Sequence, residues 1–102
     1  MFDELSIMTS FFPELVYTDS GVTCSDSGLF DISTAQECSG AVSYARLFNS
    51  KARYQSEQSW SSEPKGCFVL DEGSMYFNTH STGSTTFHIS RTSICFKGNT
   101  SF

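Results

Sequence analysis

Four cysteines, Cys24, Cys38, Cys67 and Cys95, are spread widely through a chain of 102 residues. No two of them form a C-x-x-C pair, so the spacing argues against a zinc ribbon or a thioredoxin-type motif. An even number at wide spacing in a small domain predicts two structural disulfides. Four cysteines allow three pairings. The nested one, Cys38–Cys67 inside Cys24–Cys95, is favoured. The inner bond would staple a helix to a central hairpin, and the outer bond would join the first and last strands. Two such bonds place the chain in an oxidising compartment, extracellular or in an organelle lumen.

Cross-links matter because the core is thin. Hydrophobic residues make up 38% of the chain, although ten Phe, four Tyr and one Trp supply large buried surfaces. The length suits one domain. The net charge is −5, and residues 1–37 carry seven acids (Asp3, Glu4, Glu14, Asp19, Asp26, Asp31, Glu37) without a Lys or Arg. Nucleic acid is therefore not expected as a partner, since it needs a basic face. The acids lack the spacing of a calcium loop, so no metal or cofactor is expected. No apolar run reaches the roughly 18 residues of a membrane span. Met1-Phe2-Asp3-Glu4 is acidic where a signal peptide is basic, so a mature form, a fragment or an incomplete start is expected.

Three segments emerge: an aromatic-rich arm (1–20), a disulfide-stabilised domain (21–98) and a short tail (99–102). In the arm, Phe2, Leu5, Ile7/Met8, Phe11/Phe12 and Leu15 form an imperfect helical stripe ended near Pro13. Such a segment packs on its own domain or enters a partner's groove. Gly21–Cys24 reads as a short strand and Ser25–Gly28 as a turn. The clearest helix follows, with Ser33-x-x-Gln36 and Thr34-x-x-Glu37 as overlapping capping boxes. Its apolar face runs through Ala35, Cys38, Ala41/Val42, Ala45 and Phe48. Residues 49–66 are polar and Ser-rich and read as a long surface loop. Cys67–Leu70 and Met75–Asn78 flank Asp71-Glu72-Gly73-Ser74 as a hairpin. Phe87–Ile89 and Ile94–Phe96 read as closing strands. The fold class is α+β: one helix packed on a small, mostly antiparallel sheet.

The helix segment Thr34-Ala35-Gln36-Glu37-Cys38, then Pro64-Lys65-Gly66-Cys67-Phe68, Met75-Tyr76-Phe77-Asn78 and Ile94-Cys95 together resemble a small two-disulfide module. That module recurs in secreted proteins of marine algae and dinoflagellates. The resemblance covers about residues 24–97 and implies no particular biochemical activity. Residues 30–78 are also similar, more weakly, to the PAN/apple class, without its additional helix cysteines. That similarity implies a module binding proteins or carbohydrates outside the cell.

Catalytic patterns are sparse. His80 and His88 lie in Ser/Thr-rich sequence with no G-x-S-x-G elbow, and His80 reads as a loop-internal hydrogen-bonding group. Asp71 and Glu72 sit together at an exposed turn, where paired carboxylates diverge rather than flank a substrate. No enzymatic activity is expected. The aromatics carry more. Strand alternation sets Phe68, Leu70, Met75 and Phe77 on one side and Val69 and Tyr76 on the other. Tyr54, Trp60 and Tyr76 are the candidate stacking residues, with Asn78 beside them for hydrogen bonding. Asn99-Thr100-Ser101 is a glycosylation sequon.

Two functions follow as expectations. The first is a non-catalytic structural or interaction subunit whose arm (Phe2, Leu5, Phe11, Phe12) and tail clip onto proteins of a larger assembly. The settings considered are the lumenal side of an algal membrane complex such as a photosystem, or an extracellular coat. The alternative is a PAN-like module binding a carbohydrate or glycoprotein through Tyr54, Trp60 and Tyr76.

Overall fold

A computed structural model describes residues 14–18, 21–84 and 90–97. Six strands form one sheet: β1 (Leu15–Tyr17), β2 (Phe30–Asp31), β3 (Arg53–Gln58), β4 (Gly66–Leu70), β5 (Ser74–Asn78) and β6 (Arg91–Phe96). The order is β1-β6-β4-β5-β3. β4 pairs with Arg91–Ile94 of β6, and β2 pairs with Cys95 and Phe96. All pairings are antiparallel except β3 with β5, so the α+β class holds.

Two short helices, α1 (Ala35–Gly40) and α2 (Val42–Ala45), pack on one face of the sheet. Of the two overlapping capping boxes, Thr34–Glu37 forms. The Thr34 hydroxyl accepts from the Glu37 amide, and the Glu37 carboxylate accepts from the Thr34 amide. The single expected helix is broken at Ala41, whose ψ is 2°. Ser39 and Gly40 before it are weaker helix formers than Ala or Leu, and the Ala41 amide turns back to the Cys38 carbonyl.

The helix-face core holds Ile32, Cys38, Ala41, Ala45, Ala52, Cys67, Val69, Met75, Phe77 and Ile94. Cys38–Cys67 staples the helices to it. Cys95 follows Ile94 along β6 and so points to the far face. There Cys24–Cys95 ties down the turn that carries a one-turn 3₁₀ helix, Ser25–Ser27. Both bonds match the nested pairing, and no described cysteine is free.

Four readings of the chain change. Leu15–Tyr17 is not the end of a helical arm but strand β1, paired with Ile94–Phe96; Leu15 packs on the core, and Thr18 is buried against Ser93. The sheet thus reaches into the segment assigned to the arm. Residues 21–24 form no strand. Residues 49–66 are not all loop, because Arg53–Gln58 is the edge strand β3, with alternate residues exposed and half-buried. Its polar side chains hide the period-two pattern, since only Tyr54 packs on the core. Finally, the sidedness of the hairpin differs. Phe68 stands opposite Tyr76, Cys67 opposite Phe77 and Val69 opposite Met75. Directly paired residues share a face. Val69 therefore lies with Met75 and Phe77 towards the helices, and Phe68 lies with Tyr76 on the far side. Phe87–Ile89 and the Asn99 sequon lie outside the described residues.

The hairpin turn depends on Gly73. Its φ is +107°, and a side chain there would run into the Lys51 carbonyl. The Gly73 carbonyl accepts from Arg53, which is the first hydrogen bond tying β3 to β5.

Candidate functional site

α1 packs over β3, β5 and β4, and towards β1 the same face carries an aromatic cluster. Tyr17, at the edge of β1, stacks on Phe48, which follows α2. The ring centroids are 4.1 Å apart and the planes 24° apart. Tyr44 meets Phe48 edge-on at 5.9 Å and Tyr17 at 6.2 Å. Burial pushes the Tyr44 phenol up, and a hydrogen bond with the Tyr17 backbone works the other way. Glu14 is near enough to raise it further.

Tyr17 and Phe48 border a cleft of about 330 Å³ floored by Val69, with Thr18, Leu70, Asp71 and Thr92 completing its lining. Asn49 also borders it but is committed to structure: its amide donates to the Leu70 and Asp71 carbonyls, and its carbonyl accepts from Lys51. Nearby, Leu47 is 81% and Tyr17 47% exposed. The cleft is therefore open, bordered by two aromatic rings, with the Asp71 carboxylate in its lining, while Glu14 pairs with Lys97 at 3.7 Å. That combination suits a cation lying on ring faces with a carboxylate in reach.

The expected stacking platform does not assemble. Trp60 and Tyr76 do meet, edge-on at 5.0 Å, but their partner is Phe68, at 6.4 Å from Trp60 and 6.0 Å from Tyr76. Tyr54 packs on the opposite, helix-side core, because it pairs with Met75. Trp60 is half-buried over the fully buried Phe68, so it closes a second small core on the far face. Asn78 is also no ligand group. Only 1% exposed, it accepts from the amides of Trp60 and His80 and donates to the carbonyls of Trp60, Glu63 and Pro64. Arg91 makes a two-pronged ion pair with Glu63 at 2.8 and 2.9 Å, fixing the same loop to β6. Phe2, Leu5, Phe11 and Phe12 lie outside the described residues.

Other candidates resolve individually. His80 Nδ1 accepts from the amides of Thr82 and Gly83, which holds residues 80–83 in a tight loop. Glu72 pairs with Arg53, at 2.9 Å. Hydrogen bonding by Ser74, then by Arg53, lowers its carboxyl below the ordinary value. Among the described residues no group of three or more His, Cys, Asp or Glu is placed to hold a metal, and no helix is long and apolar enough to cross a membrane.

The Tyr17–Tyr44–Phe48 cluster escaped sequence reasoning because its members come from two segments. Tyr44 and Phe48, four apart, were a visible helical pair; the strand that brings Tyr17 to them was not. No protein-family model, curated protein or solved structure matches the chain.

Proposed function

We propose that this chain is a non-catalytic interaction subunit of an oxidising compartment, extracellular or lumenal. Its docking point for a protein partner is the Tyr17–Phe48 cleft. The observation that carries the reading is the exposed Tyr17 ring stacked on half-buried Phe48 beside Asp71, on a rigid, twice cross-linked sheet. An Arg or Lys of the partner is the fitting occupant. Its cation would lie over the rings and meet the Asp71 carboxylate. The net charge of −5 favours encounter with a basic surface. The two disulfides support the compartment.

Short peptides test this. In an NMR titration of the oxidised protein, an Arg-containing peptide should shift Tyr17, Phe48, Leu70, Asp71 and Thr92. Its Glu counterpart should not. Salt and Asp71→Asn should both weaken the effect. Shifts confined to another surface, or none with either peptide, would remove the reading.

A further inference from the structure

On the far face, between the Cys24 turn and the loops following Trp60 and His80, lies a second cavity of about 310 Å³. Most of its lining residues carry hydroxyls, Thr23, Ser25, Ser81 and Thr82 among them, and they stand beside Asp31, Lys65 and the apolar surface of Pro64. Ser93 lines it too, and there the structure is unsatisfied. Ser93 is 1% exposed, and its Oγ has no hydrogen-bond partner among the described residues. Buried hydroxyls are nearly always paired, because leaving one unmade is costly. Ser93 has simple apolar alternatives, since it stands opposite the ring of Phe68 in the sheet. The unpaired Ser93 hydroxyl therefore has hydrogen-bonding capacity left for an occupant of the cavity it lines.

The walls are built rather than incidental. Cys24–Cys95 anchors the turn bearing Thr23 and Ser25. Asn78 and the Arg91–Glu63 pair fix the loop bearing Lys65. His80 Nδ1 gathers the amides of the loop bearing Ser81 and Thr82. Asp31 is placed by β2, with its side chain against Gly66. Gly66 has a φ of +84°, and a side chain there would crowd Asp31.

From this geometry we infer that the Ser93 cavity binds one polyhydroxylated ring, a pyranose unit, through its hydroxyls. A lone ammonium beside a carboxylate does not select an anion. One carboxylate among neutral hydroxyls is a poor divalent-cation site. A ligand whose groups both donate and accept matches hydroxyl walls with one fixed acceptor and one fixed donor. The volume is at the small end of ligand cavities, which suits a single ring. The site stands on the opposite face from the aromatic cleft and does not depend on that cleft's role.

The test is an NMR titration of the oxidised protein with D-glucose, D-galactose, D-mannose and N-acetylglucosamine. Cyclohexanol and inorganic phosphate serve as controls. At least one sugar should saturate shifts at Ser93, Asp31 and Thr82 with a Kd on the order of 1 mM. Neither control should. Ser93→Ala should weaken binding by about fivefold, the worth of one neutral hydrogen bond. It should also leave the melting temperature unchanged or raise it, because an unpaired buried hydroxyl is removed. Asp31→Asn, which preserves shape, should weaken binding at least as much. The inference fails if no sugar binds at this site, if phosphate or cyclohexanol binds it as well, or if Ser93→Ala binds like wild type. A lowered melting temperature in Ser93→Ala would show the hydroxyl already serving the fold and would also overturn it.

Discussion

Replacing either cystine by a pair of alanines should cost several kcal/mol, and the two losses should differ by only about 0.8 kcal/mol although the loops differ greatly in length. Cys38–Cys67 spans 29 residues and Cys24–Cys95 spans 71. On the chain-entropy account the inner loop contributes about 3.6 kcal/mol and the outer one, taken alone, about 4.4 kcal/mol. The bonds are nested, however. Once the inner bond is made, the outer bond closes only the difference between the two separations, about 42 residues, worth about 4.0 kcal/mol. With the outer bond kept, the inner one is worth about 3.2 kcal/mol by the same account, so the two double variants should differ by about 0.8 kcal/mol, the outer one losing more. Each loss is a large share of the roughly 5–15 kcal/mol that holds a domain together. For a chain of this size it corresponds to a fall in melting temperature of about 15–30 °C.

The alanine form matters, because Cys24, Cys38, Cys67 and Cys95 are all 2% exposed or less and serine would bury new hydroxyls. Urea denaturation of wild type, Cys24→Ala/Cys95→Ala and Cys38→Ala/Cys67→Ala, without reductant, measures both losses. Hydrogen exchange then locates them. The inner variant should lose protection in α1, and the outer one at β1, β2 and the Cys24 turn. A loss below about 1 kcal/mol in either variant would refute the loop-closure reasoning. Any reactive thiol in the unfolded, unreduced protein would refute the pairing itself.

Three further outcomes follow. Asn78→Ala should cost about 3 kcal/mol or more in urea denaturation, because it strands the Trp60 and His80 amides and three loop carbonyls; a loss under about 1 kcal/mol would show the loop held by other means. Gly73→Ala should cost about 2–3 kcal/mol, from the positive φ and the clash with Lys51, and should loosen β3 first by hydrogen exchange. Burial raises the Asp31 carboxyl above its ordinary value of 3.8, and Lys65 only partly opposes this. The native state then holds that proton at pH values where the unfolded chain has released it. This group's contribution is best below the unfolded value and worsens as pH rises through that value and the higher folded one. Asp31→Asn should therefore be more stable than wild type near neutral pH and lose the advantage below about pH 4. An advantage that does not change with pH would contradict the burial of a charged Asp31.

What could be read from the chain, and what could not, divides by the range of the interaction. The Thr34–Glu37 box is four residues of local chemistry and formed as expected. The hairpin is nearly local, and its strands and turn came out where the pattern put them, as the pairing of Cys67 with Phe77 shows. Its sidedness did not. A strand's two faces are set by which neighbour each residue meets, and Phe68, Tyr76 and Val69 are apolar on both, so period two could not orient them. Strand β3 was hidden because an edge strand with one buried ring, Tyr54, reads as polar loop. Tyr17 was assigned to an arm because its partners, Tyr44 and Phe48, lie far along the chain.

The cysteines are the exception among long-range features. Of three possible pairings the nested one was favoured and is the one formed, and the structure gives the reason for needing two bonds. A sheet in a chain this short has to cover both faces with little apolar material. The helix face uses small residues, Ala41, Ala45 and Ala52, under two broken helix segments. Among the described residues the far face has only the one-turn 3₁₀ helix Ser25–Ser27; it uses Trp60 over Phe68 and a loop pinned by Asn78. Neither layer is thick, and each has its own cystine: Cys38–Cys67 on one side, Cys24–Cys95 on the other. Coverage by pinned loops rather than close-packed side chains also leaves hollows between them. The far-face hollow at Ser93 is lined by hydroxyls because loops, not core elements, form its walls. The same shortage of apolar residues that requires the disulfides thus creates the surface where a polar ligand can bind.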